Sequence, residues 1–185
     1  VGLILNYTAR NILAQSSRLV VTADIAEQPK ARIDFQKNFG KNKDWWWGSE
    51  LYGAFLKQEL FISGKSADNM LYNAFEFNNE ANRNLNSLKS YVGLGLNYNY
   101  TEVKPKNDPN LNPNILSLNN YNFEDIEVNA HYSYNDMDKV FFATNGTILR
   151  ANINRSLFSA THINYTDTTS THYSGQPNGF TKLRF

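Results

Sequence analysis

Apolar and polar residues alternate with a period of two along five stretches of this chain, and that period admits one regular element, a strand with two unlike faces. Val92, Leu94, Leu96, Tyr98 and Tyr100 alternate with Gly93, Gly95, Asn97 and Asn99. Ile126, Val128, Ala130, Tyr132 and Tyr134 alternate with Glu127, Asn129, His131 and Ser133. The pattern recurs at Leu19, Val21, Ala23 and Ile25, at Ala31, Ile33 and Phe35, and at Leu149, Ala151 and Ile153. Charges stand near the middle of the polar faces. The inner side of a sandwich core rejects such charges, whereas a water-filled lumen accepts them. The expected fold is therefore all-β, an antiparallel transmembrane β-barrel whose outward face carries Val92, Leu94, Leu96, Ile126, Val128 and Ala130 against lipid.

Length bounds the strand count. The chain of 185 residues accommodates roughly eight to ten strands of about 9–13 residues, enough for a small closed barrel or about half of a large one. Hydrophobic residues are 41% and the mean hydropathy is −0.54. Both values are compatible with a membrane barrel, because only alternate strand residues face lipid. No apolar run reaches the length of about 18 residues that a transmembrane helix needs. With 18 basic and 17 acidic residues the net charge is +1, so no basic excess points to nucleic acid. The absence of cysteine excludes disulfide scaffolds, zinc ribbons and thiol chemistry. The chain begins at Val1 with neither an initiator Met nor a signal peptide and reads as a mature or truncated piece, one transmembrane domain over residues 1–185.

Connections are of two lengths. Glu27 to Lys30 is a tight turn and Asn11 to Ser17 a short link, while Lys104 to Asn120 and Thr166 to Gly179 are long and polar. Short turns on one rim and long loops on the other are expected of an outer-membrane barrel. Asn78 to Leu88 fits either a helical turn or a polar hairpin.

Aromatic residues gather at the ends of the alternating stretches. Trp45, Trp46, Trp47, Tyr98, Tyr100, Tyr132 and Tyr134 are the expected girdle, since amphipathic rings settle at headgroup level on either side of an apolar band. A rival reading makes the Trp triplet a sugar-stacking platform.

Catalytic chemistry finds little footing. Gly64-Lys65-Ser66 resembles the tail of a phosphate-binding loop, but Glu59 occupies the place of its first glycine. No G-x-S-x-G elbow occurs. His131, His162 and His172 lack metal-ligand spacing, and His131 falls on a polar strand face. Asp125 and Glu127 share that face, as lumen charges or as a pair that binds a cation. The sequons at Asn145 and Asn164 are of a kind common by chance. No enzyme activity, metal or cofactor is expected of this chain.

Two segments carry a resemblance. Tyr134 to Arg150 resembles the turn that barrels of the bacterial surface antigen (outer-membrane assembly) superfamily carry between two late strands, an Asn/Asp-rich start followed by Phe-Pro-Thr-x-Gly. Phe141, Phe142, Thr144, Asn145 and Gly146 occupy it, and Ala143 replaces the proline. Gly146 supplies the positive φ that such a turn needs. Leu5 to Leu13, Ser16 to Leu19 and Glu27 to Ala31 look like the start of the barrel that follows the lipase in patatin-like outer-membrane phospholipases. The resemblances touch about a third of the chain. They imply a barrel of about 16 strands in the outer membrane of a Gram-negative bacterium, of which this chain is about the first half to two-thirds. The superfamily's Arg-Gly lumen-loop motif is not found, which fits truncation near Phe185. The Leu183 and Phe185 end also resembles the last strand of an outer-membrane protein, so a closed barrel of about eight strands stays open as an alternative. The function implied is protein translocation, membrane insertion or anchoring of an upstream patatin-type lipase. The partners implied are outer-membrane lipid and other outer-membrane or secreted proteins, with no nucleic acid. The alternative is a soluble or surface-exposed β-sandwich that binds carbohydrate through Trp45 to Trp47.

Overall fold

A computed structural model of the chain describes residues 2–62, 64–85, 89–106, 118–138, 144–166, 173–175 and 179–184, with backbone alone at 60, 62, 65–68 and 173–175. Every regular element among them is a strand: β1 (Leu3–Arg10), β2 (Ser17–Ile25), β3 (Lys30–Phe39), β4 (Trp45–Ile62), β5 (Lys65–Asn84), β6 (Ser90–Pro105), β7 (Leu118–Asn135), β8 (Ile148–Tyr165), β9 (Tyr173–Gly175) and β10 (Thr181–Arg184). Successive strands pair antiparallel in the order β1-β2-β3-β4-β5-β6-β7-β8-β10, and the short β9 pairs with β8 beside that path. The expected all-β antiparallel architecture is thus present, as a single meandering sheet. That sheet is open: β1 pairs only with β2, and β10 only with β8, among the described residues.

The five alternating stretches lie in β2, β3, β6, β7 and β8. Of the two forms open to the segment Asn78 to Leu88, its described residues take the hairpin, since β5 pairs antiparallel with β6 up to Asn84 opposite Tyr91, and residues 86–88 lie outside the described residues. Residues 78–84 continue β5, and the turn that follows is tied by the Leu85 amide donating to the Ser90 carbonyl at 2.9 Å.

The expected segregation of short and long connections does not hold. Connections of a meander alternate between rims, so the tight turn at 26–29 shares a rim with the long segments 106–117 and 166–172. The link at 11–16 lies on the other rim with 40–44, 85–89 and 136–147. Strand length carries the asymmetry instead. β4, β5, β7 and β8 each run 18 to 20 residues, longer than expected, while β1 to β3 run only 8 to 10.

Candidate functional site

Register assigns every strand residue to one of two faces. Ala81, Leu94, Ala130, Ile153 and Leu183 form one cross-sheet row, and Arg83, Val92, Tyr132 and Ala151 the next. All six residues expected to face lipid, Val92, Leu94, Leu96, Ile126, Val128 and Ala130, fall on this one face. Leu94 is 65% exposed and Ile153 51%. The face is continued by Leu3, Leu5, Ile33, Leu51, Phe55, Phe75 and Phe77, all exposed.

The other face inverts the sidedness of an ordinary core. Among the described residues the buried hydrophobics are Ala54 and Met70, whereas Asn82, Asp125, Glu127, Asn129, Ser156 and Ser159 are buried and share the polar face. A trough of about 590 Å³ runs along it, lined by Arg18 of β2, Asp34, Glu50, Glu80, His131 and Asn152 of β8. Side chains from strands so far apart in the order meet one cavity because the sheet curls toward its polar side.

Most of these polar groups find partners on the same strand or on strands nearby, as burial favours, while Nδ2 of Asn82 has none among the described residues. Asn129 donates to Asn97 at 3.0 Å, and its Oδ1 lies 3.1 Å from Nδ1 of His131. The Nε2 of His131 lies 2.7 Å from Oδ1 of Asn82 and 3.8 Å from Glu80. Tyr91 packs edge-on against His131, and Trp46 against Tyr91. Arg32 bridges Asp34, at 3.1 Å, and Glu50. The pair Asp125 and Glu127 is already committed. Ser156 Oγ donates to Asp125 at 2.6 Å, while Asn154 and Lys182 both donate to Glu127 at 2.9 Å. A bulge makes this possible: Ile126 pairs with Phe158 and Glu127 with Ser156, so Leu157 is extra. Ser156 and Ser159 then both turn to the polar face while Leu157 and Phe158 are both exposed.

The Trp triplet divides. Trp45 and Trp47 stand on the apolar face, Trp45 stacked on Phe39 and lying beneath the Arg83 guanidinium at 5.3 Å, Trp47 edge-on to Phe35. Trp46 does not join a girdle with them. The period of two turns it to the polar face, where it lines the trough. The three rings therefore form no common stacking platform. Tyr132 and Tyr134 stand on the apolar face near the rim of Trp45, and Tyr98 and Tyr100, opposite Ile126 and Glu124, stand toward the other rim. Beyond them the same face turns polar, with Glu102, Lys104, Glu124, Lys57 and Glu59. Lys37, Ser49, Asn79 and Arg155 break the apolar run inside the band. Asn79 is satisfied by Trp47 Nε1 at 3.1 Å and Ser49 Oγ at 2.5 Å, and Arg155 donates to Thr181 at 2.9 Å. Neither Asn79 nor Arg155 lies within the five cleanly alternating stretches.

Of the turn motif, Phe141 and Phe142 lie outside the described residues. Thr144, Asn145 and Gly146 lie in a loop clamped by two carboxylates. Asp138 accepts from the Thr144 amide (3.0 Å), the Thr144 hydroxyl (2.7 Å) and the Asn145 amide (3.3 Å). Asp136 accepts from the Thr147 amide at 2.6 Å and from Tyr134 at 2.9 Å. These donors lower both carboxyl pKa values, the Thr147 amide chiefly for Asp136 and the Thr144 hydroxyl chiefly for Asp138. Gly146 has φ +125°, and a Cβ there would meet the backbone of Asp136 and Met137 at 2.5 to 2.8 Å. The expected positive φ is present.

No protein-family model, no curated protein and no solved structure matches the chain.

Proposed function

We propose that this sheet is the membrane-spanning part of an outer-membrane β-barrel. The observation that carries the reading is the inverted sidedness: the exposed face is apolar and the curled, shielded face is polar and charged. Water penalises the first and a bilayer stabilises it, while a polar lumen hydrates the second. The dimensions agree. On the apolar face Trp45 and Phe55 lie ten residues apart on β4, about 33 Å along a strand at about 3.3 Å per residue. Tilted by about 40°, that length spans the apolar band of about 25 Å typical of such barrels. The aromatic residues near both limits fit headgroup-level girdles.

The open edges at β1 and at β8 and β10 fit a sheet completed by further strands, because each unpaired backbone group costs several kcal/mol in hydrocarbon. On the resemblances at Tyr134 to Arg150 and Leu5 to Ala31, the completed barrel belongs to the surface antigen superfamily and serves translocation, insertion or the anchoring of a patatin-like lipase. In this reading the chain itself performs no catalysis, and its partners are outer-membrane lipid and the proteins it anchors or passes.

Dilution of the unfolded chain into phospholipid vesicles, into detergent and into plain buffer tests the membrane reading. The expected result is a protease-resistant β-sheet spectrum with vesicles or detergent and aggregation in buffer. A monodisperse folded monomer in detergent-free buffer overturns it.

A further inference from the structure

On the apolar face, next to the Trp45 rim, lies a groove of about 590 Å³ lined by Trp45, Arg83, Val92, Leu94, Tyr132 and Ile153. Its floor is low because Ala81, Ala130 and Ala151 fall in register between the larger residues. That volume lies within the range of about 300–1,000 Å³ found for small-molecule sites. One end is closed by a cation: Arg83, placed 5.3 Å from the Trp45 ring centroid. Among the described residues Arg83 has no carboxylate partner. An arginine stacked on an aromatic face keeps its guanidinium donors free for a bidentate acceptor.

We infer that this groove holds one acyl chain of an anionic phospholipid, with the lipid phosphate on Arg83. The inference rests on the reading of this face as lipid-facing. Charge complementarity selects the occupant. The groove is apolar along its length and cationic at the headgroup-level end, the reverse of what a second copy of the same apolar face offers. Trp45 and Tyr132 flank the headgroup end, and the groove runs from there over Ala81 and Ala130 toward the middle of the band.

Tryptophan quenching by bromine-labelled lipid tests the site in the full chain, with Trp46→Phe and Trp47→Phe leaving Trp45 as the reporter. Vesicles of unlabelled phosphatidylcholine carry the same minor fraction of either brominated phosphatidylglycerol or brominated phosphatidylcholine. The expected result is an apparent preference for the anionic lipid of about fivefold, the size expected for one basic residue meeting an anionic headgroup. Arg83→Gln abolishes the preference and leaves quenching by the zwitterionic lipid unchanged. Ala130→Leu, which fills the floor, weakens quenching by both lipids to a common level. Equal quenching by both lipids before any change at Arg83 overturns this site while leaving the membrane reading standing. No quenching by either lipid overturns both.

Discussion

Asn82 and His131 stand 49 residues apart in sequence and on strands that do not pair, yet Oδ1 of one lies 2.7 Å from Nε2 of the other. They meet across Gly93 of β6, which is in register with both. A Cβ at Gly93 would collide with both side chains, so the hydrogen bond exists because the middle strand has no side chain there. Gly93→Ala is expected to separate the pair and to destabilise the folded state by about 1–3 kcal/mol, as overpacking of a tight site does. Gly53→Ala, where an added Cβ meets nothing within 4 Å, is expected to change stability by no more than about 0.5 kcal/mol. Urea midpoints of the two variants in detergent check the contrast.

The two faces of β6 are expected to answer differently to charge. Leu94→Arg places a cation in the band and costs about 2–4 kcal/mol if lipid meets that face. Asn99→Arg, on the trough side, costs less than about 1 kcal/mol. Vesicle-based unfolding of both variants provides the comparison. Equal penalties count against the membrane assignment.

Arg155 gives the converse case. It is an exposed cation on the apolar face, paired across β8 with Val128 and Thr181, and held by one hydrogen bond to Thr181. Arg155→Leu is expected to lose that bond, worth about 1 kcal/mol, and to gain more from the removal of a charge from the band, for a net rise in stability in vesicles. In a water-exposed sheet the same change lowers stability or solubility.

The five cleanest strands are legible in the sequence because their two faces differ at nearly every step, Val20 of β2 being an exception. β4 and β5 escaped the same reading for a physical reason. Tyr52, Ala54, Leu56 and Ala74 stand on the polar face while Ser49, Asn79 and Asn73 stand on the apolar one, so a residue-by-residue period is blurred. Their polar side chains are reconciled by cross-strand bonds such as Ser49 to Asn79, which become visible only once register is known. The groove at Arg83 was illegible for a related reason: its floor is three alanines from β5, β7 and β8. The division of the Trp triplet, in contrast, follows from the period of two alone.

The loop at 136–147 is expected to be acid-sensitive. Asp136 and Asp138 have pKa values below the ordinary 3.8 because they accept loop amides and hydroxyls. The ordered loop then binds fewer protons than the disordered one. Its stabilisation is full above pH 3.8 and is lost as pH falls through the lowered native values. A fluorophore on Asn145→Cys, the chain's sole thiol, is expected to show anisotropy that falls in that acid range. The transition is expected to be absent when both carboxylates are changed to Asn. Gly146→Val is expected to loosen the same loop at neutral pH far more than Asn145→Ala, since only the glycine sits at positive φ against backbone.

If one face of this sheet meets lipid and the other does not, single labels along one strand distinguish them, and the natural absence of cysteine makes a site-by-site measurement clean. Single nitroxide labels at positions 92, 94, 96, 97, 98 and 99 of β6, in vesicles, report collision with oxygen, which concentrates in hydrocarbon, and with a water-soluble nickel complex. High oxygen and low nickel contact are expected at Val92, Leu94, Leu96 and Tyr98, and the opposite ranking at Asn97 and Asn99. Uniform accessibility along the strand, or nickel contact highest at Leu94 and Leu96, would contradict that face's assignment to lipid.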